Sequence, residues 1–582
     1  MENITLFNSD KKSQKSLLVN PEALPAVSEQ PLVETILDVF SVPVAKLVTK
    51  HQKYYFEKQR ETEIATIHVD EIASKLAFFY EKIRKVVDWK EEHLVRRSAI
   101  ERILKRKLLS KISGLSLVAD LDPDKMSGPI VLELIRGGHF PNDKIPRSKI
   151  PTVAEVIKKY IFIFANNPDF GSHSSLKLKH KINHYNWLLE IAACEIEEIL
   201  EAPIRQTALI DCMVESMMER TRVAPESAIS SEKIRIQMEV AVRKTLFHLD
   251  SPIITYHLFK MRWQNWRSFS ENELIKFSKN LDSIKQEIDH ELKFEFSSNF
   301  FSICDKYDTV YLLLGDILKN FSKKSEKILL SFSEPKELLL LVKKAYAKRL
   351  KTLKKRLYRS AIYSTLSIFL AGALSLFIFE VPLAKLFYGK FSSTAVFVDI
   401  MLPTGLMYLL VYMVKPPKKE NLARVLKETQ KIVYRQKEKD VYEIRLTKRK
   451  KSVFSFFVNL LYLAGTALSL GLVFWVFDVA RVPVTSLYID TLNVAMVVFA
   501  ALVIKQRSKE LTIDDKPSVW EFSLDIISVP MAKIGQWLAN KWKEYNIVSV
   551  FFIALVDMPF SFLVEFVENW SSYLREKKAE IH

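Results

Sequence analysis

The sequence predicts an all-α protein in which a large N-terminal cytosolic region of helical bundles precedes a polytopic α-helical membrane domain with two tandem transmembrane hairpins. Only 12 of the 582 residues are glycine, and alternating runs of β-branched and aromatic residues are rare, which leaves little room for sheets. The second half contains an internal repeat of one hydrophobic hairpin, since LAGALSL at 370–376 recurs as LAGTALSL at 463–470. Each copy continues through an acidic residue and a Val-Pro pair into a second apolar segment.

The apolar segments are long enough to cross a membrane. Residues 361–379 and 452–477 contain no charged residue, and 391–414 and 482–504 contain one aspartate each. About 20 apolar residues, at about 1.5 Å per residue, cross a hydrocarbon core of roughly 30 Å. We therefore predict four transmembrane helices. The predicted hairpins are residues 359–415 and 452–505, and a basic cytosolic loop at 416–451 joins them.

Basic residues next to these segments predict their orientation. Residues 341–360 hold nine Lys or Arg and no acid, while 415–451 hold fourteen basic residues against five acids. The two surpluses together equal the net charge of +18 of the whole chain. Basic flanks stay on the cytoplasmic side, so the N-terminal region, the central loop and the C-terminal tail are expected inside. Because the excess abuts membrane spans, nucleic acid is not expected as a partner.

The same basic flanks are candidate contacts for the headgroups of anionic lipids. The candidate residues are Lys354, Lys355, Arg356, Lys448, Arg449, Lys450 and Lys451.

The N-terminal region carries no apolar signal segment, and three scattered cysteines are too few for a disulfide framework, so we expect it in the reducing cytosol. Helical periodicity is clearest at 68–109. Along the chain we predict a disordered tail at 1–30, an amphipathic interfacial helix at 31–50, a cytosolic helical region at 51–230, a second helical region leading into the membrane at 231–358, and an amphipathic or re-entrant membrane-associated region at 506–582.

A recurring motif motivates the interfacial assignments. Asp38, Pro43 and Lys46 near the start have the same spacing as Asp525, Pro530 and Lys533 near the end, and Asp478 and Pro483 fit this pattern loosely. Proline starts or breaks a helix, and an acid ahead of it suits a helix terminus. On an apolar, tryptophan-rich background the motif indicates short helices lying on the cytoplasmic leaflet. The alternative is that these segments pack on the helical bundles. The apolar stretch 545–564 is interpreted as interfacial or re-entrant.

Two aspartates lie inside predicted spans, Asp399 in the first hairpin and Asp490 in the second. A carboxylate within a membrane helix is by default a candidate for an ion or proton pathway. Equivalent positions in two repeats place the pair around a pseudo-twofold axis. The alternative is that each aspartate reaches water at the outer boundary or caps its helix.

Enzyme motifs are absent from the sequence. It contains no glycine-rich phosphate loop, no His-Glu-x-x-His, no Cys-x-x-Cys and no Gly-x-Ser-x-Gly. We expect no catalytic, cofactor or metal site.

The basic run 345–357, the Glu-Val-Pro at 380–382 and the Pro-Pro at 416–417 resemble those of uncharacterised membrane proteins predicted from small-genome candidate-phylum bacteria. The resemblance extends over most of the chain and implies a multi-pass protein of the bacterial inner membrane. It implies no activity.

Three function classes follow from these observations. The first is a membrane scaffold or tether that presents its cytosolic helical region to protein partners or to lipid, including anionic headgroups. The second is an ion or proton conductor formed by a homo-oligomer and using Asp399 and Asp490. The third is a membrane enzyme acting on lipid, for which the sequence offers no nucleophile or metal set.

Overall fold

The structure, a computed structural model, describes residues 39–60, 65–69, 92–112, 122–168, 178–225, 229–321, 326–377, 382, 393–435, 441–446, 453–479, 484–513, 519–545 and single positions between 566 and 580. Within these ranges the chain forms nineteen helices and one pair of short strands, so the all-α prediction is confirmed. The predicted tail at 1–30 and the apolar stretch beyond residue 545 lie outside the described residues.

The N-terminal helices pack together into what we call the helical body. Its elements are α1 (Val42–Arg60), α2 (Glu92–Ile112), α3 (Pro123–Arg136), α4 (Lys149–Ala165), α5 (Leu178–Leu200), α6 (Ile204–Arg220), β1 (Thr221–Ala224), α7 (Ser231–Leu246), α8 (Ser251–Arg262), a 3-10 turn (Trp266–Ser268), α9 (Glu271–Lys279), α10 (Leu281–Leu292), α11 (Ser297–Asn320) and α12 (Glu326–Ser333). The following elements are α13 (Pro335–Ser375), α14 (Ser393–Tyr412), α15 (Glu420–Val433), β2 (Tyr442–Arg445), α16 (Val453–Val479), α17 (Val484–Ser508) and α18 (Val519–Tyr545).

The helical body is built around one continuous hydrophobic core. Apolar residues recur every three or four positions along its helices, as Val153, Ile157, Tyr160 and Phe164 do on α4, and this spacing puts them on one buried face. The helices pair through such faces, α1 with α6, α2 with α5 and α7 with α11. Most of their stability comes from this packing, because isolated helices of this length are marginal in water.

Helix α1 corrects the prediction of an interfacial helix at 31–50. Its apolar side chains Val44, Leu47 and Val48 are buried against the body, where α1 packs on α6. On its exposed side Lys46 forms an ion pair with Glu215 of α6, with Nζ and Oε2 3.0 Å apart. The apolar face expected to enter the leaflet is therefore occupied by protein, and the described part of this segment belongs to the body.

Helix α13 joins the body to the apolar half of the chain. It is 41 residues long, which corresponds to about 60 Å. Leu338, Val342 and Tyr346 in its first half are buried in the body, whereas Ile362 and Leu370 in its second half are exposed. One uninterrupted helix thus passes from the packed core into a region where apolar side chains face outward.

The segment predicted as a basic loop at 416–451 contains ordered elements that dock on the body. Helix α15 buries Val425, Ile432 and Val433 in the body's core. Strand β2 pairs in parallel with β1, with Thr221 opposite Tyr442. A buried ion pair joins α15 to α6, because Arg220 Nη1 lies 3.0 Å from Glu428 Oε1. The basic residues of α15 lie away from its buried face, because Arg424 and Lys427 are exposed and Lys431 is half-buried.

The Asn421 side chain ties three segments together at this junction. It is 5% exposed, and its Nδ2 donates to Tyr346 Oη of α13 at 3.0 Å and to the Leu511 carbonyl at 2.6 Å. Its Oδ1 accepts from the Ile513 N–H at 2.9 Å. The amide therefore joins α13, α15 and the chain just after α17 in one buried network.

Three of the described helices are long and apolar enough to cross a membrane, where the sequence predicted four spans. These segments are Pro335–Leu374, Leu460–Val479 and Leu487–Ser508. The fourth predicted span corresponds to α14, whose described apolar part, Phe397–Tyr412, is shorter. Helices α13 and α14 pack on each other, and α14 also packs on α17.

Candidate intramembrane site

Asp399 and Asp490 lie on two helices that contact each other. Asp399 on α14 is 4% exposed and Asp490 on α17 is 0% exposed. Asp399 also approaches the first copy of the repeated motif, since a Cβ at Gly372 of α13 would lie 4.0 Å from its carbonyl oxygen. The structure thus places both predicted residues inside the helix bundle.

The position of each aspartate along its helix is also equivalent. Helix α14 begins at Ser393 and α17 at Val484, so each aspartate lies six residues beyond the first residue of its helix. Capping side chains act within the first turn, so neither aspartate caps its helix. Burial likewise excludes the alternative that they are exposed to water at the outer boundary.

The Asp-Pro-Lys motif adopts different structures in its two matching copies. Pro43 lies in the first turn of α1, where a missing N–H costs nothing. Pro530 lies inside α18 instead. Asp38 and Pro483 are outside the described residues, and Asp478 is exposed near the end of α16.

Helix α18 packs against α17 and is not the short interfacial helix predicted around Asp525, Pro530 and Lys533. Asp525 near its start pairs with Lys505 of α17 at 2.9 Å, and Gly535 packs against the Ala495 carbonyl of the same helix. These contacts are ten residues apart on each helix, about 15 Å along each axis, so α18 runs antiparallel to α17 and into the bundle. The remaining motif residue, Lys533, lies over the Tyr462 ring of α16, 4.7 Å from the centroid.

Pro530 and Gly465 explain how α18 docks on α16. Proline has no N–H, so Pro530 cannot bond the carbonyl four residues earlier, that of Ile526. Gly465, within the second copy of the repeated motif, packs on this carbonyl, and a Cβ there would lie 2.5 Å from the oxygen. Small residues that allow close backbone approach are typical of helix contacts in membranes. The equivalent Gly372 faces α14, so the duplicated hairpins use the same glycine against different neighbours.

The predicted lipid-headgroup residues are only partly described. Lys354, Lys355 and Arg356 are exposed on α13, and Arg356 Nη2 lies 3.3 Å from Glu510 Oε1. The other candidates, Lys448, Arg449, Lys450 and Lys451, are outside the described residues.

The most buried polar cluster of the helical body is a structural network. Glu195 accepts from Lys159 at 2.6 Å and from Tyr160 and Trp266 at 3.0 Å each, so both of its oxygens are bonded. In a second cluster Arg97 pairs with Asp250 at 2.7 Å. Burial of the neighbouring Glu197 raises its pKa to about 8. Among the residues that the structure describes, no group of His, Cys, Asp or Glu is arranged to hold a metal ion.

Neither the junction at Asn421 nor the insertion of α18 into the helix bundle was predicted from the sequence. Asn421 follows a Pro-Pro pair in a strongly basic segment and carries no motif, so no local signal identifies it. The two glycines at the contacts of α18, Gly465 on α16 and Gly535 on α18 itself, give a weak signal, because glycine is rare in this chain and small residues mark helix contacts in membranes.

Comparisons with protein-family models, curated proteins and solved structures find no match for this chain.

We predict that Gly465→Ala destabilises the docking of α18, whereas Gly471→Ala does not. A methyl group at Gly465 meets a backbone oxygen that cannot move aside, which is expected to cost about 1–3 kcal/mol. Gly471 lies on the same helix with nothing within 4 Å of an added Cβ, so alanine there is neutral or slightly stabilising. The measurement is the thermal unfolding midpoint of each purified variant in detergent. Equal midpoints for the two variants would contradict the close contact.

Proposed function

We propose that the protein is a multi-pass platform of the bacterial inner membrane that holds its helical body at the cytoplasmic face, where the body binds partner proteins. The observation that carries this proposal is the junction at Asn421. The first half of α13, the segment that follows α14 and the segment that follows α17 all contact one hydrophobic core. A flexible tether would not need such a junction, whereas a platform of fixed orientation does.

The outer surface of the apolar helices supports a membrane location. Large side chains that are more than half exposed include Tyr363 on α13, Tyr412 on α14, Leu463 and Trp475 on α16, and Tyr488 on α17. Contiguous exposure of this kind is rare on proteins in water and is ordinary in lipid. Tyr488 and Lys505 bracket α17 about 26 Å apart, close to the thickness of the hydrocarbon core.

Charge supports the cytoplasmic orientation. The basic residues of α13 and the Lys and Arg at the end of α17 lie at the end of the bundle that meets the helical body. In this orientation α18 begins on the cytoplasmic side and rises beside α17.

We expect membrane-impermeant maleimide to label a cysteine in the helical body only from the cytoplasmic side. The native Cys194, Cys212 and Cys304 are buried, so the wild type provides the background. Glu271→Cys, exposed on α9, should be labelled only in inverted vesicles, and Val479→Cys, exposed at the far end of α16, only in right-side-out vesicles or cells. Labelling of both positions from the same side would contradict the proposed platform.

Lys578→Cys, an exposed position near the C-terminus, reports the side of the membrane on which the C-terminus lies. We expect labelling only in inverted vesicles. Labelling from the outside would assign the C-terminus to the outer side and leave the cytoplasmic assignment of the helical body unchanged.

A second candidate function is an oligomeric ion or proton conductor. The observation that favours it is the burial of Asp399 and Asp490 at equivalent positions of contacting helices. We favour the platform because four or five helices in one chain leave little room for an ion path between them. Conduction would therefore require a homo-oligomer.

If the chain conducts, proton or cation flux through proteoliposomes should fall to the protein-free level in the Asp399→Asn/Asp490→Asn variant. Asp478→Asn, an exposed aspartate at the end of α16, is the matched control and should retain wild-type flux. Absence of flux from correctly inserted wild-type protein would rule out the conductor and leave the platform unaffected.

A further inference from the structure

A large cavity lies between the membrane helices where they approach the helical body. Its volume is about 1160 Å³, and its walls come from α14, α16, α17 and α18. Pockets for drug-sized ligands usually measure about 300–1,000 Å³, so this cavity has room for a larger occupant. It is distinct from the Asp399 and Asp490 positions, neither of which lines it.

The inner part of the cavity is apolar and as deep as one leaflet. On α17 its wall extends from Val494 through Val498 to Lys505. The 11 helical steps from Val494 to Lys505 correspond to about 16 Å, and half of the hydrocarbon core measures about 15 Å. Leu406 and Leu410 of α14 form the facing wall. Such a space fits hydrocarbon chains that stand parallel to the membrane helices.

The mouth of the cavity is basic. Lys415, Lys418, Arg424, Lys505 and Lys509 line it, together with the acids Glu420 and Asp525. Lys505 is already paired with Asp525 at 2.9 Å, and the lining as a whole carries three more positive than negative charges. The mouth would therefore attract an anionic group, whereas the apolar interior would exclude it, because a charge there loses its hydration.

We propose that the cavity binds one anionic phospholipid of the cytoplasmic leaflet, with its phosphate at the basic mouth and its acyl chains between α14 and α17. This inference depends on the proposed membrane placement of these helices. A free phosphate would leave the apolar walls unfilled, and a zwitterionic lipid would not use the charge excess. Basic pockets between membrane helices on the cytoplasmic side are suited to anionic headgroups.

A lipid in this position would act on the junction between membrane and body. Asn421 and Arg424 of α15 line the same cavity, and Asn421 also bonds the chain that follows α17. The headgroup would then bridge α14, α15 and α17 at the point where the body is attached. The platform would be most rigid in a membrane that contains anionic lipid.

The test is native mass spectrometry of the purified full-length protein in detergent, titrated with phosphatidylglycerol or phosphatidylcholine. We expect one tightly retained phosphatidylglycerol and a clear preference over phosphatidylcholine. In Lys415→Gln/Lys418→Gln the affinity for phosphatidylglycerol should fall roughly 30-fold, because each lysine near an anionic surface contributes about 1 kcal/mol. Lys276→Gln/Lys279→Gln, which removes two exposed lysines of α9 with the same spacing and outside the cavity, should retain the wild-type affinity.

A second pair of variants tests the apolar walls. Leu472 and Leu468 on α16 are both 56% exposed, but only Leu472 lines the cavity. Leu472→Trp should fill part of the chain space and reduce retention of both lipids, whereas Leu468→Trp should not. The exposure of both positions makes either tryptophan compatible with folding.

Three results would overturn the lipid site. The first is equal affinity for the two lipids, and the second is an equal loss of phosphatidylglycerol affinity in the two double lysine variants. The third is displacement of the lipid by millimolar inorganic phosphate, which would indicate a free-phosphate site. Flotation of the same protein with liposomes separates this inference from the proposed function. Protein that floats without lipid preference contradicts only the lipid site, and protein that does not float contradicts the membrane platform itself.

Discussion

The buried amide of Asn421 is the interaction on which the arrangement of the two halves depends. Its two donors and its acceptor are satisfied by Tyr346, Leu511 and Ile513, which belong to segments far apart in sequence. Each of these buried groups would cost about 1–3 kcal/mol if left without a partner. The geometry of the junction is therefore fixed by polar satisfaction, and the apolar residues of α15 supply the packing around it.

Inside the bundle the equivalent constraint is backbone proximity. Gly465 and Gly535 let α18 approach α16 and α17 closely enough to touch carbonyl oxygens, and Pro530 leaves one of these oxygens available. In the proposed membrane location lipid supplies no hydrophobic driving force between helices, so close packing of this kind would hold them together. The docked α18 separates the second hairpin, whose helices contact each other little, whereas α13 and α14 of the first hairpin pack directly.

The sequence predicted the elements whose signal is local. Apolar length identified helices long enough to cross a membrane, periodicity identified the helical body, and the repeat identified Asp399 and Asp490 as equivalent positions. It could not predict where a short amphipathic segment docks, since α1 and α15 carry faces that suit a membrane surface as well as a protein core. The same motif starts a helix at Pro43 and lies within one at Pro530, because the surrounding tertiary contacts decide which backbone groups need partners.

The central claim is that the helical body is held at a fixed position relative to the membrane helices. The most direct test is the distribution of distances between spin labels at Glu271→Cys and Val479→Cys, measured by pulsed electron paramagnetic resonance in lipid nanodiscs. The account predicts one narrow distribution, broadened in Asn421→Ala but retained in Asn299→Ala, which loses only exposed bonds to the Arg445 carbonyl and from Ser298 Oγ. A broad distribution in the otherwise wild-type protein would contradict the platform and show that the body is flexibly tethered.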